Sequence, residues 1–165
     1  LAEQRLFAFY EELGLSVPVD TMRELDEVAQ RDWQRYISLD PDAKDVLGAL
    51  RQVKSVALIS NYDHPPHVRQ LLSDLDLNPL FDCTVISGEV GVKKPDPRIF
   101  GPALDATGLE AAEVVYVGDA IVDIDGARAA GIAPIRIGRE PGAWAHPRDA
   151  DLVIESLREL LPLLG

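Results

Sequence analysis

Val114-Val115-Tyr116-Val117-Gly118-Asp119-Ala120-Ile121-Val122-Asp123 reads as an apolar strand, a glycine turn and the start of a helix. Two carboxylates ride on that turn: Asp119 just past the strand, and Asp123 four positions on. The same strand–loop–helix rhythm extends on both sides. Upstream, helical patterning over 45–51 precedes the apolar run Ser55-Val56-Ala57-Leu58-Ile59, and a helix over 67–75 follows, with Pro65 and Pro66 suited to its start. Cys83-Thr84-Val85-Ile86 is the next strand. A helix is then expected over 96–107, opened by Pro97 and ending near Gly108, although Pro102 sits awkwardly inside it. Downstream, a helix over 123–130 closes at Gly131. Ala133-Pro134-Ile135-Arg136-Ile137 is a fourth strand whose proline suggests an edge or a strand start. Leu152-Val153-Ile154 is a short fifth strand, and Ser156 caps a last helix through Leu164. Alternating strands and helices predict a doubly wound parallel α/β sheet with helices on both faces.

Residues 1–39 read differently. Leu6, Phe9, Tyr10 and Leu13 fall at helix spacing with Gly14 as a stop. Met22, Leu25, Val28, Ala29, Trp33 and Tyr36 line a second helical stretch, and Asp40-Pro41 opens a new element. The division expected is therefore a helical region over 1–39 and an α/β core over 40–165.

The 165 residues carry 16 Lys plus Arg against 28 Asp plus Glu, a formal charge of −12. That excess argues against nucleic acid as the main partner, because affinity for phosphate backbones comes from Lys and Arg. A single cysteine, Cys83, excludes an internal disulfide framework and a Cys-rich zinc site. No apolar run reaches the roughly 18 residues of a spanning helix, and the first residues do not resemble a signal peptide. No membrane partner is expected, and a cytoplasmic location is. The chain opens on Leu1 and has Met22 as its only methionine, so an incomplete N-terminus is expected.

Ligands of such sheets bind beyond the carboxyl ends of the strands. Asp119 and Asp123 at one strand end suit Mg²⁺, a hard cation that takes a few oxygens and keeps several waters. The alternative for Asp123 alone is a cap on its helix. An EF-hand reading of Asp123-Ile124-Asp125-Gly126 fails, because the first and twelfth ligand positions would be Ile121 and Ile132. Ser60 and Asn61 leave the first strand, where a hydroxyl and the following N–H groups suit one phosphoryl oxygen. Lys94, directed by Pro95, is placed to offset charge on a transferring phosphoryl group, whereas Lys93 points elsewhere. His64 and His67 read as surface residues near the pocket mouth in preference to a metal pair, Trp33 and Tyr36 as core packing in preference to cap contacts with substrate, and Cys83 as a small buried hydrophobe.

Together Leu58-Ile59-Ser60-Asn61, Gly91-Val92-Lys93-Lys94-Pro95-Asp96-Pro97-Arg98-Ile99-Phe100 and Val117-Gly118-Asp119 through Gly131 resemble the second, third and fourth motifs of the haloacid dehalogenase superfamily. Residues 1–39 are similar to the later part of its helical cap. The resemblance implies a Rossmann-like core and an Mg²⁺-dependent phosphoric monoester hydrolase acting through an aspartyl-phosphate on a small phosphorylated metabolite. In that scheme Ser60 and the Asn61 backbone hold a phosphoryl oxygen and Lys94 offsets charge. Asp119 ligates Mg²⁺, and Asp123 is a second ligand or orients the metal's water. A metal-independent carbon–halogen hydrolase is the less favoured relative, since it lacks the acidic pair.

The family's first motif, an apolar strand ending in Asp-x-Asp, has no counterpart here. The spacings Asp40/Asp42, Asp74/Asp76, Asp123/Asp125 and Asp149/Asp151 all fall in the wrong place. The resemblance puts that strand between those bearing Ser60 and Asp119. Its loss would remove two ladders of roughly four hydrogen bonds, about 4–12 kcal/mol at about 0.5–1.5 kcal/mol each. The expectation is a C-terminal portion of a longer hydrolase lacking its nucleophile; a domain that binds phosphate or a partner without catalysis is the alternative.

Overall fold

The computed structural model describes residues 10–21, 24, 25, 28, 36–138, 150 and 152–164. Helix α1 (Ala43–Leu50) leads into strand β1 (Ala57–Ser60), and α2 (Pro65–Asp74) returns to β2 (Cys83–Ile86). A single turn, α3 (Ser87–Val90), and a 3₁₀ turn over Pro97–Phe100 precede α4 (Gly101–Thr107). Then come β3 (Val115–Gly118), α5 (Ile121–Ala129), β4 (Ala133–Ile137), β5 (Leu152–Ile154) and α6 (Leu160–Leu164).

Every described pairing is parallel. β1 pairs β2 with Ala57 opposite Cys83 and Ser60 opposite Ile86. β3 pairs β4 with Val115 opposite Ala133, and β4 pairs β5 from Ile135 opposite Leu152. Side chains alternate across each strand, so neighbours serve opposite faces. Ile59 and Val85 pack with Phe100, Ala103, Ala127 and Ile132 on the side of α4 and α5. On the other face Ile86 packs with Val68, Leu72 and Leu77 beside α2. Farther along, Ile135 and Ile154 meet Val46, Leu50 and Leu160 of α1 and α6. Helices on both faces of parallel strands make this a doubly wound α/β arrangement.

The described strands form two blocks, β1-β2 and β3-β4-β5. Between the facing edges of β1 and β3 lies a cavity of about 490 Å³, bordered by Ala57, Ile59, Val115 and Val117. Leu50 and Leu160 wall it on one side, Phe100 and Ala103 on the other. Its position is where the resemblance puts a further strand.

Several expectations need correction. The helix expected over 96–107 is broken in two, and Pro102 falls in the first turn of α4, where no N–H is needed. Of the two readings of Pro134 the strand start holds, since it is the second residue of β4, which lies between β3 and β5 with β5 pairing from Ile135. Tyr36 is 85% exposed rather than packed in a core. Leu13, Leu25 and Val28 are exposed too, and Leu6, Phe9, Met22, Ala29 and Trp33 lie outside the described residues. Cys83 is half-buried at the rim of the α4 cluster. Ser156 caps as expected, its Oγ accepting from Arg158 N–H at 3.1 Å. No helix among the described residues is long and apolar enough to cross a membrane.

Candidate active site

The residues after β1 and β3 meet at one rim, where Asn61 bonds Lys94, Lys94 pairs with Asp123, and Asp123 packs against Gly118 beside Asp119. Lys94 reaches this rim from the loop after α3. Its main chain is clamped by the Asn61 amide: Lys94 N–H donates to Oδ1 at 2.8 Å, and Nδ2 donates to the Lys94 carbonyl at 3.0 Å. The ammonium donates to Ile59 O at 3.1 Å and to the Tyr116 hydroxyl at 2.8 Å. Asp123 Oδ1 stands 2.7 Å from Nζ, and both side chains of that pair are more than nine-tenths buried. Lys93, one residue earlier, is exposed.

Asp123 carries two loads. Oδ2 accepts from Ala120 N–H at 3.0 Å, capping the first turn of α5, while Oδ1 faces the ammonium. The cap and the charge partner are thus one carboxylate. Its approach depends on Gly118: a Cβ there would lie 2.4 Å from Asp123 Cβ and 2.7 Å from Oδ2. Tyr116 completes the cluster. Its hydroxyl is 3.3 Å from Ile59 O and 3.4 Å from Asp123 Oδ1, and its ring meets Phe100 edge-on at 5.0 Å. Burial works to lower the Lys94 pKa, but the hydrogen bonds from Asp123 and Tyr116 outweigh it and hold the ammonium above its ordinary value. Burial pushes the Tyr116 phenol up, against the pull of Lys94. The lysine therefore remains charged and the phenol neutral around pH 7.

Ser60 is half-buried, and Asp119 is exposed beside Gly118; neither side chain is committed to a partner among the described residues. A donor set of one open carboxylate and one occupied carboxylate fits Mg²⁺, which is commonly held by one or two carboxylates plus substrate oxygens and water. It does not fit a metal that needs three protein side chains, and no such group of His, Cys, Asp or Glu occurs among the described residues. His64 and His67 belong to no metal cluster; the His67 ring stacks on Tyr62 at 5.7 Å, and both histidines are half-buried.

Sequence reasoning missed two participants. The strand pattern reads Tyr116 only as a strand residue, although a phenol inside an apolar strand must find a polar partner when buried. The Asn61 side chain was passed over for its backbone. Asn61→Ala removes both clamp bonds and is expected to cost about 1–3 kcal/mol, measured as a lowered urea midpoint at unchanged slope. A midpoint equal to the parent chain's would show that the clamp does not hold Lys94.

A sequence profile for haloacid dehalogenase-like hydrolases matches residues 3–131. The chain is 38% identical over 140 residues to a phosphoserine phosphatase of Thermus thermophilus, covering 84% of this chain and 55% of that protein. It is 32% identical over 130 residues to a phosphoglycolate phosphatase of Escherichia coli, covering 77% and 51%. A solved phosphatase of the same superfamily from Thermococcus onnurineus superposes with a TM-score of 0.72 at 26% identity, covering 95% of this chain and 69% of the other. The chain spans about half the length of the curated relatives it matches.

Proposed function

Because the chain belongs to the haloacid dehalogenase-like hydrolase family, we propose that it forms the phosphate- and metal-handling part of an Mg²⁺-dependent phosphoric monoester hydrolase. The observation that carries this reading is the buried Lys94 ammonium, fixed by Asp123, Tyr116 and Ile59 O at the shared end of β1 and β3. A cation so held cannot retreat into water; with its three N–H donors taken by Asp123, Tyr116 and Ile59 O, it acts on an incoming phosphoryl group as a fixed positive charge.

Ser60 Oγ and the Asn61 backbone N–H hold one phosphoryl oxygen. Lys94 offsets the charge that spreads over the phosphoryl oxygens during transfer. Asp119, open to solvent, would ligate Mg²⁺; Asp123 keeps Lys94 in place and would be a second ligand or orient the metal's water. Mg²⁺ in this position supplies positive charge against the phosphoryl oxygens. The attacking carboxylate, which forms the aspartyl-phosphate, comes from an aspartate outside the motifs present here. Residues 1–39 belong to a helical cap. The substrate class is a small phosphorylated metabolite, in keeping with the names of the two phosphatase relatives.

One observation favours a second reading, a domain that binds phosphate or a partner without catalysis: among the described residues no strand ends in an Asp-x-Asp pair. Hydrolysis of p-nitrophenyl phosphate by this chain and by the complete gene product, each with Mg²⁺ or with EDTA, separates the two. The expected result is turnover by the complete product that EDTA abolishes and Mg²⁺ restores, with none from this chain alone. A complete product inactive with every divalent metal would leave the binding domain. Metal-independent release of halide from 2-chloropropionate would make it a dehalogenase.

A further inference from the structure

We propose that Ser87 is a positioning residue for the phosphoryl site: its buried hydroxyl fixes the Tyr62 backbone and so sets where Asn61 offers its N–H to a phosphoryl oxygen. The proposal rests on the site assigned above to Ser60, Asn61 and Lys94. Tyr62 N–H donates to Ser87 Oγ at 2.9 Å, and Ser87 Oγ donates back to Tyr62 O at 3.2 Å. Gly88 N–H donates to the same carbonyl at 3.0 Å. Both backbone groups of Tyr62 are therefore held by two consecutive residues of α3. Its ring packs beside Val68, Leu72, Leu77 and Ile86 and stacks on His67.

The same stretch of chain grips the preceding residue as well. Asn61 is clamped through its side-chain amide to the Lys94 main chain, at 2.8 and 3.0 Å. Ser87 and Lys94 are the two ends of the stretch 87–94, and Gly91, at φ 74°, turns it back so that both ends meet the loop after β1. Ser60, on the other side of Asn61, is held in β1 opposite Ile86, the residue before Ser87. The clamp fixes the Asn61 side chain. Holding the next N–H fixes its ψ, because the peptide between them is planar. With Ser60 anchored in the strand, the Asn61 N–H has one direction left.

Two other roles for this serine fail on geometry. A serine at a helix start commonly accepts from an N–H of its own turn. Here Ile86 is the N-cap, and both hydrogen bonds of the Ser87 hydroxyl go to Tyr62. A substrate ligand or nucleophile needs a reachable hydroxyl, whereas Ser87 is 6% exposed with its one proton donated to Tyr62 O. The corner is also tight. A Cβ on Gly88 would lie 2.9 Å from Tyr62 O and 3.0 Å from the Pro65 ring. Arg69 braces α2 against α3 with a fork on Glu89, at 3.1 and 2.8 Å. Without the hydroxyl, Tyr62 N–H must turn toward water for a partner, and Asn61 turns with it.

The test is steady-state hydrolysis of p-nitrophenyl phosphate by the complete gene product carrying Ser87→Ala, Ser87→Thr or Gly88→Ala, with amide exchange on the same proteins. Ser87→Ala should raise KM about tenfold and weaken inhibition by inorganic phosphate to match, with kcat within about threefold of the parent. The Mg²⁺ concentration for half-maximal activity should stay within about twofold, because Asp119 sits on the loop after β3. Ser87→Thr keeps the hydroxyl and should return KM to within about threefold. Exchange should quicken about tenfold or more at the Tyr62 and Lys94 amides and stay unchanged at Asp123. A serine that only supported the fold would lower kcat with the amount of folded enzyme and leave KM alone. Should Ser87→Ala fail to fold, Gly88→Ala, which presses on Tyr62 O at the same corner, should raise KM in its place. A parental KM in the folded alanine variants would overturn the proposal and leave the phosphatase reading standing. So would a folded Ser87→Thr protein with KM raised as far as in Ser87→Ala. A complete product that hydrolyses no phosphate ester, yet exchanges faster at Tyr62 and Lys94 in Ser87→Ala, would remove the phosphatase reading and the positioning role with it, leaving the bracket as architecture alone.

Discussion

Lys94→Met is expected to destabilise the chain by about 3–5 kcal/mol, because it leaves the Asp123 carboxylate buried without its charge partner. Surface ion pairs are worth far less, and the Arg98–Asp96 pair serves as a contrast, with the Arg98 side chain 75% exposed. Burial decides between the two cases. Removing both charges together, in Lys94→Met with Asp123→Asn, should recover much of the loss, since nothing ionised then remains inside and the amide oxygen can still accept from Ala120 N–H. Urea unfolding of the four chains closes the cycle. A single variant within about 0.5 kcal/mol of the parent would mean that the pair is solvated and the site open to water. In the complete gene product the same substitution should lower phosphate ester turnover by about 10²–10³-fold, the cost of removing one fixed electrostatic contact.

Gly118→Ala is the second large effect, expected at about 3 kcal/mol or more together with loss of metal response. The added methyl would sit 2.4 Å from Asp123 Cβ, closer than any real contact, and both partners are held: Gly118 by the β4 pairing and Asp123 by its cap. Something must move, and the least anchored group is the first turn of α5. Displacing it pulls Asp123 from Lys94 and shifts Asp119 with it. Gly48→Ala makes the control. In α1, with nothing within 4 Å of the added atom, the same change should stabilise by about 0.5–1 kcal/mol. Opposite signs for one chemical change would locate the effect at the turn. Thermal unfolding of both variants measures it, and a Gly118→Ala chain as stable as its parent would contradict the close approach.

Much of this architecture was legible because local signals agreed with one another. Cys83 to Ile86 is a β-branched run between turn residues, and the strand has those bounds. Pro65 and Pro66 open α2 where a missing N–H costs nothing. After Pro97 a helix pattern cannot distinguish one helix from a 3₁₀ turn followed by a helix that begins at Gly101, and Pro102 marks the break. Ser87 starts a helical turn and binds Tyr62, with Oγ accepting from Tyr62 N–H at 2.9 Å, a contact between residues 25 apart that no local pattern encodes. The same holds at the site. Asp119, Asp123 and Lys94 stand out by residue type and neighbours. Tyr116 and the Asn61 amide matter only through contacts made when distant loops meet, and these emerge from tertiary packing.

Calorimetric titration of the chain with inorganic phosphate and Mg²⁺, each alone and then each in the presence of the other, tests most directly whether these residues form one phosphate and metal site. The account predicts that each ligand strengthens the other by the same factor, and that Asp119→Asn removes this coupling. Independent binding of the two, or coupling that survives Asp119→Asn, would contradict it.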